Sequence, residues 1–253
     1  MSGSEDVAKG PPPPRPSPAK AGKGQAAQPL PRPHVPRSTA RRINLALQGG
    51  GTHGAFTWGV LDRLLEEERI EYDGVSGTSA GALNAAVFVQ GLCEGGRQGA
   101  RAALDRVWQD TAARLAISPL RNTPFEKAIW GHDLTWSVAY QTWETMTRVL
   151  SPYQINPTPY DWNPLRPVLE AAINPEVLRQ GKGPKLFISA TSVRTGKPRV
   201  FAREEVTVDT ILASACLPQF FKAVEIDGEP YWDGGYLGNP ALWPLYEQGG
   251  AHD

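Results

Sequence analysis

Short apolar runs alternate with amphipathic helical patterns along most of the chain. The apolar run at 43–47 ends at a glycine cluster, which is typical of a buried strand. Over 55–68, apolar side chains recur at helical spacing between charged ones, namely Phe56, Val60, Leu61, Leu64 and Leu65. A second short strand is predicted at 72–77. The folded part therefore begins with strand, glycine loop, helix and strand.

The same alternation continues beyond the second strand. The predicted elements are helices at 80–90 and 99–113, a strand at 185–193, a turn at 195–197, a strand at 199–202, a helix at 208–216, a hairpin from 224 that leads into 231–235, and a helix at 241–248. Alternating strands and helices need crossover connections, which favour parallel strands. The pattern predicts an α/β fold with a mainly parallel central sheet.

Composition separates an N-terminal extension from the rest of the chain. Ten of the 24 prolines precede residue 37, and residues 1–42 carry eight Lys or Arg against two acidic residues. The chain has 26 basic and 26 acidic side chains, so the extension carries +6 and the remainder −6. Such an extension buries too little apolar surface to fold, and an acidic domain offers no groove for phosphates. We expect a disordered extension at 1–42, a folded domain at 43–253 and no nucleic-acid partner.

Aromatic residues concentrate in the middle of the folded part. Eight of the 22 aromatic side chains lie within 125–162. They suit an apolar lid or acyl-chain surface, but a second helical layer that buries its own rings explains them slightly better. The sequence predicts an aromatic-rich helical insertion at about 118–165 and leaves both roles open.

No sequence pattern indicates metal binding or export. Cys93 and Cys216 are far apart, and no Cys, His and carboxylate cluster has metal-ligand spacing. No apolar signal segment follows the polar N-terminus, and the longest apolar stretch is shorter than the roughly 20 residues of a membrane-spanning helix. We expect a cytoplasmic protein, with peripheral membrane association left open.

The GGGTHG run at 49–54 lies between the first predicted strand and helix. Unpaired backbone N–H groups at a helix N-terminus form a cradle for an anion. The run also fits the Gly-x-Gly-x-x-Gly pattern of dinucleotide folds, with Asp73 near the expected ribose-binding acid. This motif alone does not distinguish an oxyanion-binding loop from a nucleotide-binding loop.

The GTSAG run at 77–81 fits Gly-x-Ser-x-Gly at a predicted junction of strand and helix. Gly77 and Gly81 let the two elements approach closely, which holds Ser79 exposed on a tight elbow. A serine nucleophile needs a positioned base and hydrogen-bond donors for the developing oxyanion. The glycine loop can supply the donors.

The base is expected to be an aspartate, because none of the histidines is well placed for a triad in the order Ser, acid, His. The histidines are His34, His53, His132 and His252. Asp233 ends a predicted strand, and Gly234 and Gly235 after it permit close approach to the serine. An Asp-Gly-Gly run alone is more often a simple turn, but beside a serine elbow and a glycine loop a direct base is favoured.

The three motifs, in this order, resemble the signatures of the patatin-like phospholipase family in its bacterial type, from residue 43 onward. The resemblance implies a three-layer α/β/α sandwich and hydrolysis of a lipid or other acyl ester without metal or cofactor. Ser79 then corresponds to the nucleophile and Asp233 to the base. The oxyanion hole corresponds to Gly49, Gly50, Gly51 and Gly54, while Gly77, Gly81, Gly234 and Gly235 complete the motifs.

The chain departs from that family in two respects. His53 stands where many members have Arg or Lys, which weakens the positive field at the loop. The family usually continues beyond the last predicted helix, so we expect a fold truncated at the C-terminus. The open alternatives are a His-dependent α/β-hydrolase-type esterase and a non-catalytic nucleotide- or lipid-binding module. The pattern predicts no oligomeric state.

Overall fold

The computed structural model describes residues 40–115, 123–131, 133, 135, 137–149 and 163–247. The strands are β1 (Arg41–Leu47), β2 (Ile70–Gly77), β3 (Lys185–Ser192), β4 (Pro198–Ala202), β5 (Val224–Ile226) and β6 (Glu229–Asp233). The helices are α1 (Gly54–Leu65), α2 (Ala80–Leu115), α3 (Pro124–Trp130), α4 (Val138–Val149), α5 (Arg166–Ala172), α6 (Pro175–Gln180), α7 (Val208–Ser214) and α8 (Trp243–Glu247). The predicted extension lies outside the described residues up to residue 39, but Arg41 and Arg42 belong to β1, so the folded part begins before the predicted residue 43. Much of the predicted insertion and residues 248–253 also lie outside the described residues.

One six-stranded sheet runs through the domain. Its order is β1-β2-β3-β6-β5, with β4 paired to β3. The three longest strands, β1, β2 and β3, are parallel, and the shorter strands extend the sheet by antiparallel pairing. Asp227 and Gly228 both have positive φ in the turn that joins β5 to β6, as a tight hairpin requires. The predicted α/β fold with a parallel centre is confirmed.

Helical segments cover both faces of β2. Successive residues of a strand point to opposite faces of the sheet. A Cβ on Gly77 would meet the backbone of Gly81, in the first turn of α2. The preceding residue, Ser76, points the other way and its Oγ donates to the carbonyl of Ala241, 2.6 Å away and just before α8. The sheet is therefore the middle of three layers, as the resemblance implies.

Helix α2 folds back on itself as a helical hairpin. Its backbone leaves the helical region at Gly95 and Gly96. Trp108 Nε1, in the second arm, donates to Asn84 Oδ1 in the first arm at 2.8 Å. The amide nitrogen of Asn84 in turn donates to the carbonyl of Gly54 at 2.9 Å. One buried amide thus joins both arms to the start of α1, and the two helices predicted for this region are the two arms.

Helix α1 packs three of the five apolar residues predicted for its buried stripe, namely Leu61, Leu64 and Leu65. Phe56 and Val60, which the apolar pattern assigns to the core, are 79% and 43% exposed. The residues on the packed side are Gly54, Trp58, Leu61, Leu64 and Leu65. Two residues along a helix correspond to a rotation of about 200°, so Phe56 faces away from Gly54. The helix also ends at Leu65, three residues before the predicted end.

The apolar core lies around the central strands and fixes the ends of those strands. The largest fully buried side chains come from α1, α2, β2, β3, α5, α6 and α7, and they are Phe88, Leu61, Leu104, Leu169, Leu178, Leu186, Ile188, Ile211, Leu212, Val75, Val87 and Val89. Burial of each such side chain contributes about 1.5–3 kcal/mol. The loops that follow β1 and β2 are therefore carried on a rigid support.

Candidate active site

Three motifs that are far apart in the sequence line one cleft. The cleft has a volume of about 340 Å³, and its lining residues are Gly49, Gly50, Gly51, Ser79, Leu217, Asp233, Gly235, Tyr236 and Asn239. The glycine loop follows β1 and the serine follows β2, and these strands are parallel neighbours. Their carboxyl ends therefore meet at the same edge of the sheet. Asp233, the last residue of β6, completes the cleft.

Ser79 lies on a sharp elbow between β2 and α2. Its φ is +57°, a conformation that L-residues with a side chain rarely adopt. A Cβ on Gly81 would lie 2.0 Å from the carbonyl oxygen of Leu47, and a Cβ on Gly77 would lie 2.4 Å from the carbonyl oxygen of Gly81. Strand and helix thus approach at a distance that only glycine permits. This is the arrangement that the Gly-x-Ser-x-Gly spacing predicts.

Buried hydroxyl groups form hydrogen bonds to the elbow and hold its backbone in place. The Ser79 N–H donates to Ser214 Oγ at 2.9 Å, and that hydroxyl donates to the carbonyl of Ser189 at 2.7 Å. The Thr78 hydroxyl bonds to the Ser189 hydroxyl and to the carbonyl of Gly238. Sequence reasoning missed Ser189 and Ser214, whose only signal is a small polar residue inside an apolar strand or helix. Together they fix the backbone that leads into the nucleophile candidate.

We expect Gly81→Ala to lower the free energy of unfolding by about 3 kcal/mol, at the upper end of overpacking costs. The added methyl would overlap the backbone oxygens of Leu47 and Gln48, at 2.0 and 2.8 Å. Gly59→Ala in α1 is the matched control, because its Cβ meets nothing within 4 Å and Ala favours helices by up to about 1 kcal/mol. Denaturant unfolding of both variants measures the difference. Equal stability of the two would contradict the close approach of β1 and α2.

Asp233 is a buried carboxylate beside the serine. Its side chain is 4% exposed, and its Oδ1 accepts the N–H of Gly235 at 2.7 Å. Burial raises the pKa of Asp233 above its ordinary value, while hydrogen bonds from the Gly235 N–H and the Ser79 side chain oppose that rise. A Cβ on Gly234 would lie 2.2 Å from the carbonyl oxygen of Ser189, so only glycine fits after the aspartate. The buried carboxylate and Ser79 therefore line the same cleft.

The glycine loop offers two open donors rather than four. The Gly49 N–H donates to Asn239 Oδ1 at 2.6 Å, and the Gly54 N–H donates to carbonyls of the preceding 3-10 turn. Gly50 and Gly51 have positive φ, and within the described chain their N–H groups have no backbone or side-chain acceptor. Gly54 is buried and does not line the cleft, so it contributes close packing and no open donor for an oxyanion.

Among the described residues, no histidine or cysteine lines the cleft. The His53 ring is exposed, and its Nδ1 lies 3.1 Å from the carbonyl oxygen of Gly50, within its own loop. His34, His132 and His252 lie outside the described residues. Burial raises the pKa of the Cys216 thiol to about 12, and the nearby Asp233 charge adds to the rise. Across the described residues, no three His, Cys, Asp or Glu side chains come together as a metal site.

The candidate ribose-binding acid does not reach the glycine loop. Asp73 lies in the first half of β2, with the Arg42 guanidinium 3.9 Å away. Four residues of strand, or about 13 Å, separate it from Gly77. A dinucleotide site needs its acid at the edge of the sheet where the glycine loop lies. The geometry at Asp73 therefore does not support the nucleotide alternative.

The fold and cleft define an α/β protein with a serine elbow, a glycine loop and a buried aspartate at one edge of its sheet. A family model described as "Patatin-like phospholipase" matches residues 45–246. The chain belongs to the patatin-like phospholipase family, whose members in general hydrolyse lipid esters.

Two individual proteins also resemble the chain. YjjU of Escherichia coli (strain K12), described as an uncharacterized protein, is 26% identical over 196 residues, which cover 77% of this chain and 45% of YjjU. The crystal structure of VipD from Legionella pneumophila aligns with a TM-score of 0.38 and 14% identity, over 78% of this chain and 46% of that one. The chain thus spans less than half the length of each.

Proposed function

We propose that the protein is a serine lipid acyl hydrolase that cleaves carboxylic esters through a covalent acyl-Ser79 intermediate. The observation that carries this proposal is the cleft that brings Ser79, the buried Asp233 carboxylate and the glycine loop together. The open N–H groups of Gly50 and Gly51 in the same cleft support it, because acyl transfer needs donors for an oxyanion. Membership of the family supports lipid esters as the substrate class.

The proposed reaction has two half-reactions. Asp233 accepts the proton of the Ser79 hydroxyl as its oxygen attacks the ester carbonyl, and the loop N–H groups stabilise the oxyanion. The tetrahedral intermediate collapses to the acyl-serine, and the leaving alcohol takes the proton from Asp233. Water then attacks the acyl group with Asp233 again as the base, which releases the carboxylic acid and restores Ser79. Because burial raises its pKa, Asp233 is a stronger base than an exposed aspartate.

The cleft also presents apolar surface beside the proposed nucleophile. Leu217 and Tyr236 line it and are 38% and 50% exposed. Side chains of this kind can pack against an acyl chain.

In the part of the chain that is described, no helix has both the length and the apolar content to cross a membrane. We propose that any contact with lipid is peripheral, helped by the six basic residues of 1–39.

The proposal is tested by a fluorophosphonate serine probe together with a lipid-ester assay. The probe should label the wild-type protein, and peptide mapping should place the label on Ser79. In the same preparation, release of fatty acid from phospholipid, triacylglycerol and a short soluble ester should identify the preferred lipid class. A label on another residue, or ester hydrolysis without labelling of Ser79, would overturn the proposed nucleophile.

We expect Gly51→Val to reduce kcat about 100-fold, the scale of losing one oxyanion donor. Gly51 has a φ of +58°, so a β-branched residue would turn its N–H away from the cleft. Gly196→Val is the matched control, because Gly196 has a φ of +63° and equally open surroundings in the turn between β3 and β4. Both variants should lose similar stability, but only Gly51→Val should lose activity. Equal kcat values for the two would assign the loop another function.

A further inference from the structure

We propose that Asn239 is the positioning residue of the glycine loop, holding it in the conformation that presents two open N–H groups to the substrate. This inference rests on the proposed function and adds a residue outside the three motifs. Asn239 lies six residues after Asp233 and lines the same cleft. Its role follows from its hydrogen bond to the Gly49 N–H and from the hydrogen bonds that hold the turn preceding it.

The contact joins Asn239 to the first glycine of the loop. The Gly49 N–H donates to Asn239 Oδ1 at 2.6 Å. A backbone N–H can only donate, so the oxygen end of the amide must face the loop. The next two residues, Gly50 and Gly51, then carry the open N–H groups at positive φ. The orientation of both donors therefore begins from a peptide group that Asn239 holds.

The turn that carries Asn239 is itself bonded to the elbow. The N–H of Gly238 donates to the carbonyl of Gly234 at 3.0 Å, and the Gly238 carbonyl accepts the Thr78 hydroxyl at 3.2 Å. Thr78 immediately precedes the proposed nucleophile. A Cβ on Gly49 would meet both the Ser79 Cβ, at 2.7 Å, and Asn239 Oδ1, at 3.1 Å. Asn239 thus joins the loop to a turn that is already aligned with the nucleophile.

Loss of this contact should affect the oxyanion donors and leave the elbow in place. Three successive glycines are flexible, so an unrestrained loop samples many conformations. A displacement of about 1 Å at a reacting centre can cost about 100-fold in rate. The elbow keeps its own support, because the Ser79 N–H is held by Ser214. Substrate binding in the ground state does not require the oxyanion donors, so KM should change little.

The test compares Asn239→Ala with Gln219→Ala on a short soluble ester. Gln219 is the matched control, because its amide bonds to the Tyr236 hydroxyl at 3.2 Å and not to the glycine loop. For Asn239→Ala we expect kcat to fall about 30-fold. This lies between the effect of losing one hydrogen bond and the effect of losing one oxyanion donor. KM should stay within about threefold of the wild-type value. Gln219→Ala should keep kcat within about twofold of wild type. A wild-type kcat in Asn239→Ala would overturn the inference.

Two further measurements separate positioning from general destabilisation. The double variant Asn239→Ala/Gly51→Val should be no slower than the slower single variant, because both changes act on one loop. Amide exchange at Gly49 should be about tenfold faster in Asn239→Ala, since its hydrogen bond is lost. Additive rate losses, or unchanged exchange at Gly49, would contradict the inference. Wild-type turnover in Ser79→Ala would instead remove the proposed function itself, so the two failures are distinguishable.

Discussion

Ser79→Ala is expected to lower ester hydrolysis by about 10⁴-fold or more and to abolish labelling by a fluorophosphonate probe. The hydroxyl is the only protein nucleophile in the proposed mechanism, and it lies in the same cleft as Asp233. The elbow should survive the change, because its geometry depends on glycines at 77 and 81 and on the bond from the Ser79 N–H to Ser214. The thermal unfolding midpoint should therefore stay within a few degrees of wild type.

The matched control for this variant is Ser192→Ala. Ser192 ends β3 on the same sheet, and its hydroxyl donates to Glu229 at 2.6 Å, outside the lining of the cleft. It should keep both labelling and turnover while losing about 1 kcal/mol of stability for each of the hydrogen bonds that its hydroxyl makes with Glu229 and Thr195. Residual wild-type turnover in a folded Ser79→Ala protein would rule out the acyl-serine mechanism.

Asp233→Asn is expected to reduce kcat by about 10³- to 10⁴-fold, the scale seen when a triad carboxylate becomes an amide. The amide keeps the shape of the side chain and can still accept the Gly235 N–H, which now lies 2.7 Å from Oδ1. It cannot accept a proton from Ser79.

The same substitution, Asp233→Asn, should raise the free energy of unfolding at neutral pH. It removes a buried charge that no Lys, Arg or His among the described residues balances.

The pH dependence of this stability gain follows from the direction of the pKa shift. The pKa of Asp233 is raised in the folded state by burial, so the folded protein holds this proton more tightly than the unfolded chain does. The resulting stabilisation is present below the ordinary aspartate pKa and is lost as the pH rises through the raised pKa. The difference in free energy of unfolding between Asp233→Asn and wild type should therefore shrink as the pH is lowered from 7 toward 4.

Thermal unfolding at several pH values, together with initial rates, measures both effects. Asp227→Asn is the control, because Asp227 is exposed at a φ of +52° where Asn is equally well tolerated. It should change neither the rate nor the pH dependence of stability. More than a tenth of wild-type kcat in Asp233→Asn would remove the aspartate as the base. A pH-independent stability difference would contradict its raised pKa.

The local part of the site could be predicted from the sequence. The spacing of Gly77, Ser79 and Gly81 specifies an elbow within five residues, because only glycine allows the backbone contacts of such a junction. The apolar runs around it likewise predicted the parallel strands β1 and β2 and the order of the helices. The pattern was wrong for Phe56 and Val60 of α1, which are exposed, and it missed Trp58, because the packed side of the helix is set by its contacts with α2.

The supporting contacts were decided by the tertiary structure alone. Ser214 is 135 residues from Ser79, and Asn239 is 190 residues from Gly49. No local spacing marks such partners, because a hydrogen bond between distant segments depends on how the sheet and its turns pack. The sequence by itself determined which motifs carry the candidate chemistry, since their steric requirements act over a few neighbouring residues. Folding decided which N–H groups remain open and that Asp233 is buried beside Ser79, because both depend on atoms that only the packed chain brings together.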